Sequence, residues 1–403
     1  MDIGDTPDEA AFRLEARAWL SDHATLRSTA TAASSGHHGD LAAHVAACKA
    51  WQATLHAQGW AGITWPVQFG GRGAGPVHAA IFAEEQARFD VAVGAFAVSI
   101  GMVGPTLMAH GSPDQQRHLD AMLRGDEVWC QLFSEPGAGS DLASLGTLAV
   151  RDGDTYIVNG QKVWTSLGQF ADFGILLART DPEQPKHRGI SYFLVDMRSP
   201  GIDVRPLKQI TGIAHFNEVF LTDVRIPATN LVGVEGEGWR VAQTTLSNER
   251  AFIGSGGGAW TVEQLIDLAR RRGVAGDPRI RQELAKAHCR SEVLGYLGYR
   301  MRTAMSRGVM PGPEMFTMKL ASANHWSATT DLATRILGPD GTLWAADAPE
   351  DGRWQQHHLG QFAIRIGGGT DEVQHNIIGE RGLGLPREPH TDKDVPWSEL
   401  VRA

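Results

Sequence analysis

The chain has 403 residues, with 37 basic against 46 acidic side chains and a net charge of −9 at pH 7. That length suits two or three domains with cores of ordinary size, and mild acidity without a dense basic block excludes a nucleic-acid partner. The three cysteines, Cys48, Cys130 and Cys289, are far apart and outside any zinc spacing, which points to free thiols in a reducing compartment.

The acidic N-terminus lacks the basic-then-apolar layout of a signal peptide, so a cytoplasmic location is expected. Apolar residues at helical spacing predict helices over Asp8–Leu20, over Ala42–Gln58, where Gly59 stops it, and over Val77–Phe89. Val91–Ala109 carries no charge and approaches bilayer length, but Gly94, Gly101, Gly104 and Pro105 favour a buried core helix, broken near Gly104-Pro105, over a membrane span. Ser112-Pro113 has the cap-then-proline order of a helix start, and that helix ends near Gly125.

The pattern then turns to period two. Strands are predicted over Thr147–Arg151, Tyr156–Val158 and Lys162–Ser166, separated by turns at Asp152-Gly153-Asp154 and Asn159-Gly160. Phe173–Arg179, Ile190–Asp196, Ile202–Pro206 and Phe216–Pro227 continue them, and without long helices between they read as antiparallel. Long helices return over Trp239–Arg271, Pro278–Ser306 and Glu314–Leu337, although Gly254–Gly258 weakens the first by about 1 kcal/mol per glycine. The expected fold class is α+β and multidomain. It has an N-terminal helical domain at 1–127, a central antiparallel β-barrel or sandwich at 128–236, and a C-terminal four-helix bundle at 237–403.

Three segments carry chemical signals. The run Gln131-Leu132-Phe133-Ser134-Glu135-Pro136-Gly137-Ala138-Gly139-Ser140-Asp141 offers unhindered backbone amides and two hydroxyls, as a phosphate or ring-edge cradle needs; on composition alone an ordinary Gly/Pro turn explains it as well. On Lys162-Val163-Trp164-Thr165-Ser166, alternation puts Trp164 and Ser166 on one face, as either a wall for a flat redox ring or a half-buried sheet tryptophan. Gly367-Gly368-Gly369 feeds a helix with Thr370 as N-cap, which presents free amides to an anion or is a flexible loop. His37-His38 and His357-His358 are adjacent pairs without a second cluster at ligand spacing, so no metal is expected.

These segments, together with Phe216-Asn217-Glu218-Val219-Phe220 and Asp223-Val224-Arg225-Ile226-Pro227, resemble the acyl-CoA dehydrogenase family in order and spacing over almost the full chain. The resemblance implies a helix, β, helix fold that binds FAD between the β domain and the C-terminal bundle. It implies that Gln131, Phe133, Ser134, Gly139 and Ser140 line flavin or thioester, that Trp164 and Ser166 flank the isoalloxazine, and that Thr370 and Glu372 meet the adenine-side half of FAD. Similar enzymes also hold FAD from a neighbouring subunit, through an Arg-x-x-Phe-Gly segment and a later glycine loop. Here that segment becomes Arg270-Arg271-Arg272-Gly273-Val274-Ala275-Gly276, without phenylalanine, and the later glycine loop is Leu337-Gly338-Pro339-Asp340-Gly341.

Removing the weakly acidic α proton of an acyl thioester needs a carboxylate held close in a dry pocket. Many members of the family place a glutamate just before the Gly-Thr pair, but that position here is Gly368, which has no side chain. A second subgroup carries it on the first long helix of the C-terminal domain before an arginine, and Ser247-Asn248-Glu249-Arg250 stands at that place. Glu249 is therefore expected as base, with Arg250 and Ser140 on the substrate side. The resemblance further implies 2-enoyl-CoA as product, electron transfer to an electron-transfer flavoprotein, and a homodimer or homotetramer. Alternatives are a heteromer in which this chain is a non-catalytic or half-site subunit, and an acyl-CoA oxidase on the same fold.

Overall fold

The computed structural model describes residues 4–27, 40–254, 261–309, 312–387, 389 and 393–400. Among these the helices are α1 (Pro7–His23), α2 (Leu41–Ala57), α3 (Pro76–Gln86), α4 (Gly104–His110), α5 (Pro113–Gln116) and α6 (His118–Arg124), then α7 (Gly238–Gly254), α8 (Val262–Arg271), α9 (Pro278–Ser306), α10 (Glu314–Leu337), α11 (Arg353–Ile366) and α12 (Asp371–Ile377). The strands are β1 (Trp129–Leu132), β2 (Leu148–Asp152), β3 (Thr155–Ser166), β4 (Phe173–Arg179), β5 (Ile190–Asp196), β6 (Ile202–Leu207) and β7 (Phe216–Pro227). They form two compact units: Met1–Gly39, Ala74–Val91 and Ile253–Arg387 make one, and Asp40–Gly73, Ala92–Phe252 and Glu388–Ala403 make the other.

In the second unit the seven strands make one sheet in the order β1-β4-β2-β3-β7-β6, with β5 also pairing β4. Its core is a continuous apolar cluster that includes Leu132, Tyr156, Val158, Leu176, Phe193, Val219 and Ile226. Four pairings are antiparallel as expected, but β1 runs parallel to β4, from Trp129 opposite Phe173 to Leu132 opposite Leu176, and β2 touches β4 in parallel at Leu148 and Arg179. The predicted Asn159-Gly160 turn is corrected: both residues lie inside the unbroken β3, where its register against β7 shifts between Val158 and Gly160. The Asn159 amide donates to Asp223 Oδ1 at 3.0 Å, and a Cβ at Gly160 would sit 2.3 Å from Thr147 Oγ1. An asparagine-glycine pair here makes a bulge.

The charge-free stretch also differs from expectation. A π-helical turn at Ser99–Val103 runs directly into α4, so Gly104-Pro105 does not break the helix. Pro105 has no N–H to give, and the Ile100 carbonyl, five residues earlier in the π turn, accepts from Trp65 Nε1 at 3.2 Å; Gly104 admits the Trp65 ring, which a Cβ would meet at 2.0 Å. Among the described residues no helix is long and apolar enough to cross a membrane. Cys48 and Cys130 are buried free thiols and Cys289 is an exposed one.

The first unit joins α1 and α3 to the helices that follow α7. The single helix expected over Trp239–Arg271 is two: α7 ends at Gly254, and α8 starts from a Thr261 capping box closed by Gln264. Most of the glycine run at Gly254–Gly258, and His37-His38, lie outside the described residues. The buried cluster of α8, α9, α10 and α11 includes Leu265, Leu268, Leu284, Leu332, Ile336 and Trp354.

A charge network ties α1, α3 and α9. Arg13 reaches Asp5 at 2.6 Å and Glu85 at 3.1 Å, Arg17 and Arg88 reach Glu85 at 2.8 and 3.0 Å, and Arg302 pairs with Asp5. Hydrogen bonds from these arginines, chiefly Arg13 for Asp5 and Arg17 for Glu85, outweigh burial and hold both carboxyl pKa values at about 2. Because the folded values lie below the unfolded ones, this stabilisation is complete above the ordinary carboxylate range and is lost as pH falls toward 2. Glu85→Gln should cost about 1–2 kcal/mol at pH 7, since its arginine partners stay largely solvated, and thermal melts should show that penalty shrinking between pH 5 and 2. An unchanged melting temperature at pH 7 would contradict this reading.

Candidate active site

The loop after β1 is held by a buried ion pair. Lys162, wholly buried on β3, donates to Glu135 Oε1 at 2.7 Å and to the Phe133 carbonyl at 3.1 Å. The same carboxylate accepts the amides of Gly146 at 2.7 Å and Thr147 at 2.9 Å. Burial pushes the Glu135 pKa up, but the Lys162 ammonium and these donors outweigh it, so the carboxylate stays below its usual value. For Lys162, burial dominates and pulls the pKa down, with Glu135 opposing. Neither residue is legible as a site from sequence, yet together they fix the backbone of Phe133 and Ser134, whose carbonyl accepts from Val163 N at 2.9 Å.

Next to this pair β3 bulges. Between Lys162 and Thr165 its register against β7 shifts, Trp164 takes φ of +61° and is 60% exposed, while Thr165 is fully buried on the other side. The Phe216 ring lies edge-on to the indole at 5.9 Å. The Trp164 face is thus an open aromatic platform beside the Phe133–Ser134 edge. Ser166 is half-buried, Gly139 and Ser140 are exposed on the loop, and a Cβ at Gly137 or Gly139 would meet nothing within 4 Å. The Thr165 hydroxyl is buried without a hydrogen-bond partner in the protein. An exposed indole beside an open glycine loop fits a flat heteroaromatic cofactor such as flavin.

Glu249 lies on α7, half-buried, with Oε2 3.5 Å from Gln131 Nε2, at the long limit of a hydrogen bond. One turn earlier on the same helix face, the fully buried Thr245 hydroxyl meets Tyr192 Oη at 3.1 Å and Thr106 Oγ1 at 2.9 Å. Beside it, Thr244 Oγ1 bonds His110 Nε2 at 2.8 Å. Burial pushes the Tyr192 phenol pKa up, so it remains neutral. The Arg250 side chain lies outside those described.

Thr370 and Glu372 belong to the other compact unit. Gly368 and Gly369 take φ of +66° and +93°, and Thr370 caps α12 by accepting the Val373 amide at 3.2 Å. Lys319 donates to the Gly369 carbonyl at 2.7 Å, while Arg365 pairs with Asp371 at 2.7 Å, a clamp on the glycine turn not foreseen from sequence. Glu372 is exposed, and hydrogen bonds, its own backbone amide first and then Thr370, hold its pKa below the ordinary value. Among the described residues no cluster of three or more metal-ligating side chains occurs.

Family models for the acyl-CoA dehydrogenase N-terminal, middle and C-terminal domains match residues 6–126, 130–224 and 236–383. Acyl-CoA dehydrogenase IpdE1 of Mycobacterium tuberculosis is 40% identical over 94% of this chain and 99% of its own. Among solved structures, the Tcur3481-Tcur3483 steroid ACAD is similar with a TM-score of 0.83 and 30% identity over 96% of this chain and 100% of its own. The ChsE4-ChsE5 complex from Mycobacterium tuberculosis gives 0.77 and 30% over the same shares.

Removing Glu135 strands a buried ammonium. Glu135→Gln should destabilise the protein by about 3–5 kcal/mol, whereas Trp164→Phe, at an exposed ring, should leave stability within about 0.5 kcal/mol. Thermal melts of the two variants check this, and equal melting temperatures would contradict the role given to the pair.

Proposed function

From the premise that the chain belongs to the acyl-CoA dehydrogenase family, as an oxidoreductase acting on acyl-CoA, we propose that it desaturates the α,β bond of an acyl-CoA thioester with Glu249 as base. The observation that carries this is the approach of the Glu249 carboxylate to Gln131 on β1, at the root of the loop that ends in Ser140-Asp141. Gly368 supports it, since the other position at which family members carry the base has no side chain here.

In this reading Glu249 takes the α proton, and the Gln131 amide orients the carboxylate that receives it. Trp164, Ser166, Gln131, Phe133, Ser134, Gly139 and Ser140 would line FAD or thioester, and Thr370 and Glu372 would meet the adenine-side half of an FAD. When bound, FAD supplies the two-electron acceptor for the β hydride. The proposed product is the 2-enoyl-CoA, and the proposed electron acceptor is an electron-transfer flavoprotein. Arg250 takes the CoA side. The likeness to a structure described as a steroid ACAD supports a bulky, steroid-derived acyl group. The proposed domains are 1–127, 128–236 and 237–403, and the proposed compartment is the cytoplasm.

A second reading makes the chain one half of a heteromer. Both structures reported above carry two component names, and the Arg270 to Gly276 segment lacks the phenylalanine of the family's inter-subunit FAD contact. Flavin content and oligomeric state of the chain purified alone separate the readings: stoichiometric FAD in a homo-oligomer supports the first.

Glu249→Gln should keep bound FAD and lower kcat by at least about 10²–10⁴-fold, read as flavin bleaching against butyryl-, octanoyl-, palmitoyl- and cholesterol-side-chain acyl-CoA. Near-parental bleaching in that variant removes the assignment.

A further inference from the structure

Residues 393–400 follow the last residue matched by the C-terminal family model and belong to the same compact unit as the sheet. Their one large aromatic side chain, Trp397, is only 5% exposed. The Trp397 amide donates to the Gln184 carbonyl and the Ser398 amide to the Pro182 carbonyl, each at 2.9 Å, and Pro396 bridges to Pro185. The indole Nε1–H donates to the Ser144 carbonyl at 3.2 Å, and the Arg179 guanidinium lies 4.4 Å from the ring centroid. Arg179 is itself buried and donates to the carbonyls of Ala143, Leu145 and Lys186. A tryptophan placed against a buried guanidinium, with its N–H satisfied, is a built contact.

What it grips is the back of the substrate-side loop. Ser144 Oγ–H donates to Asp141, which Lys186 also holds at 2.9 Å, directly after Ser140. Gly146, whose amide donates to Glu135, lies where an added Cβ would be 3.6 Å from that carboxylate and 3.7 Å from the Trp397 ring. The indole thus reaches both ends of the loop, the Ser140-Asp141 tip and the Glu135–Lys162 anchor, through one peptide segment, 143–147.

We propose that Trp397 is a positioning residue for thioester binding: from outside the family's matched domains it fixes residues 141–147 and so holds Ser140 in place for the acyl-CoA. This rests on the functional reading above in taking Ser140 as a substrate contact. The test is made on the flavin-loaded full chain with Trp397→Ala and with Trp397→Phe, which keeps a ring over Arg179 but removes the indole N–H. Backbone amides at 144–147 should exchange with deuterium at least tenfold faster in Trp397→Ala, with KM for the best acyl-CoA of the panel raised about fivefold or more and kcat and flavin content within twofold. Trp397→Phe should fall between parent and Trp397→Ala, and it decides alone if the alanine variant does not fold. Parental exchange at 144–147, a parental KM, or a loss of kcat equal to the rise in KM overturns the proposal. If no thioester bleaches the flavin, the functional reading fails, and the exchange rates still decide whether Trp397 holds the loop.

Discussion

The Glu135 carboxylate, wedged between a buried ammonium and two backbone amides, ties together three stretches of chain: the loop after β1, strand β3 and residues 146–147. Through Lys162 it reaches β3 and the Phe133 carbonyl, and through its own oxygens it holds Gly146 and Thr147. A charge pair in such a place is costly to desolvate, so its net contribution to stability is small, but breaking it from either side leaves an uncompensated charge. The geometry is therefore close to all-or-none. It fixes where the strand edge beside Trp164 lies, and with it the floor of the proposed active site.

The proposed base is positioned by different physics. Thr245 and Glu249 are four residues apart and share a face of α7. The buried hydroxyl of Thr245 is locked by Tyr192 from β5 and Thr106 from α4, so the rotation of the helix about its axis is set by neutral hydrogen bonds one turn below the carboxylate. Neutral donors suit that place, because a permanent charge there would bias the carboxylate's proton affinity while a hydroxyl orients without doing so.

Sequence reading succeeded where a local signal is also the final arbiter. The limits of β4, β5, β7, α9 and α10 agree with expectation because alternation, helical period and caps such as Asp277 before Pro278 act within a few residues. It failed where the same local signal serves two outcomes. Asn159-Gly160 looks like a hairpin turn, and only the pairing with β7 and the crowding by Thr147 make it a bulge. Gly104-Pro105 looks like a break, and only the preceding π turn and Trp65 make it continuous. The family resemblance supplied Gln131 and Glu249 separately, 118 residues apart, but not their approach, and nothing local pairs Lys162 with Glu135. Trp397 lay outside every motif, so its grip on Ser144 and Arg179 became visible only in three dimensions.

In the proposed function one carboxyl group, at position 249, removes the α proton of a thioester. Incubating the flavin-loaded protein in deuterated water with 3,3-dimethylbutyryl-CoA, whose β carbon has no hydride to give, isolates that step from oxidation. Proton NMR should show an α hydrogen replaced by deuterium in the parent and retained with glutamine at 249; equal exchange in the two proteins would contradict the account.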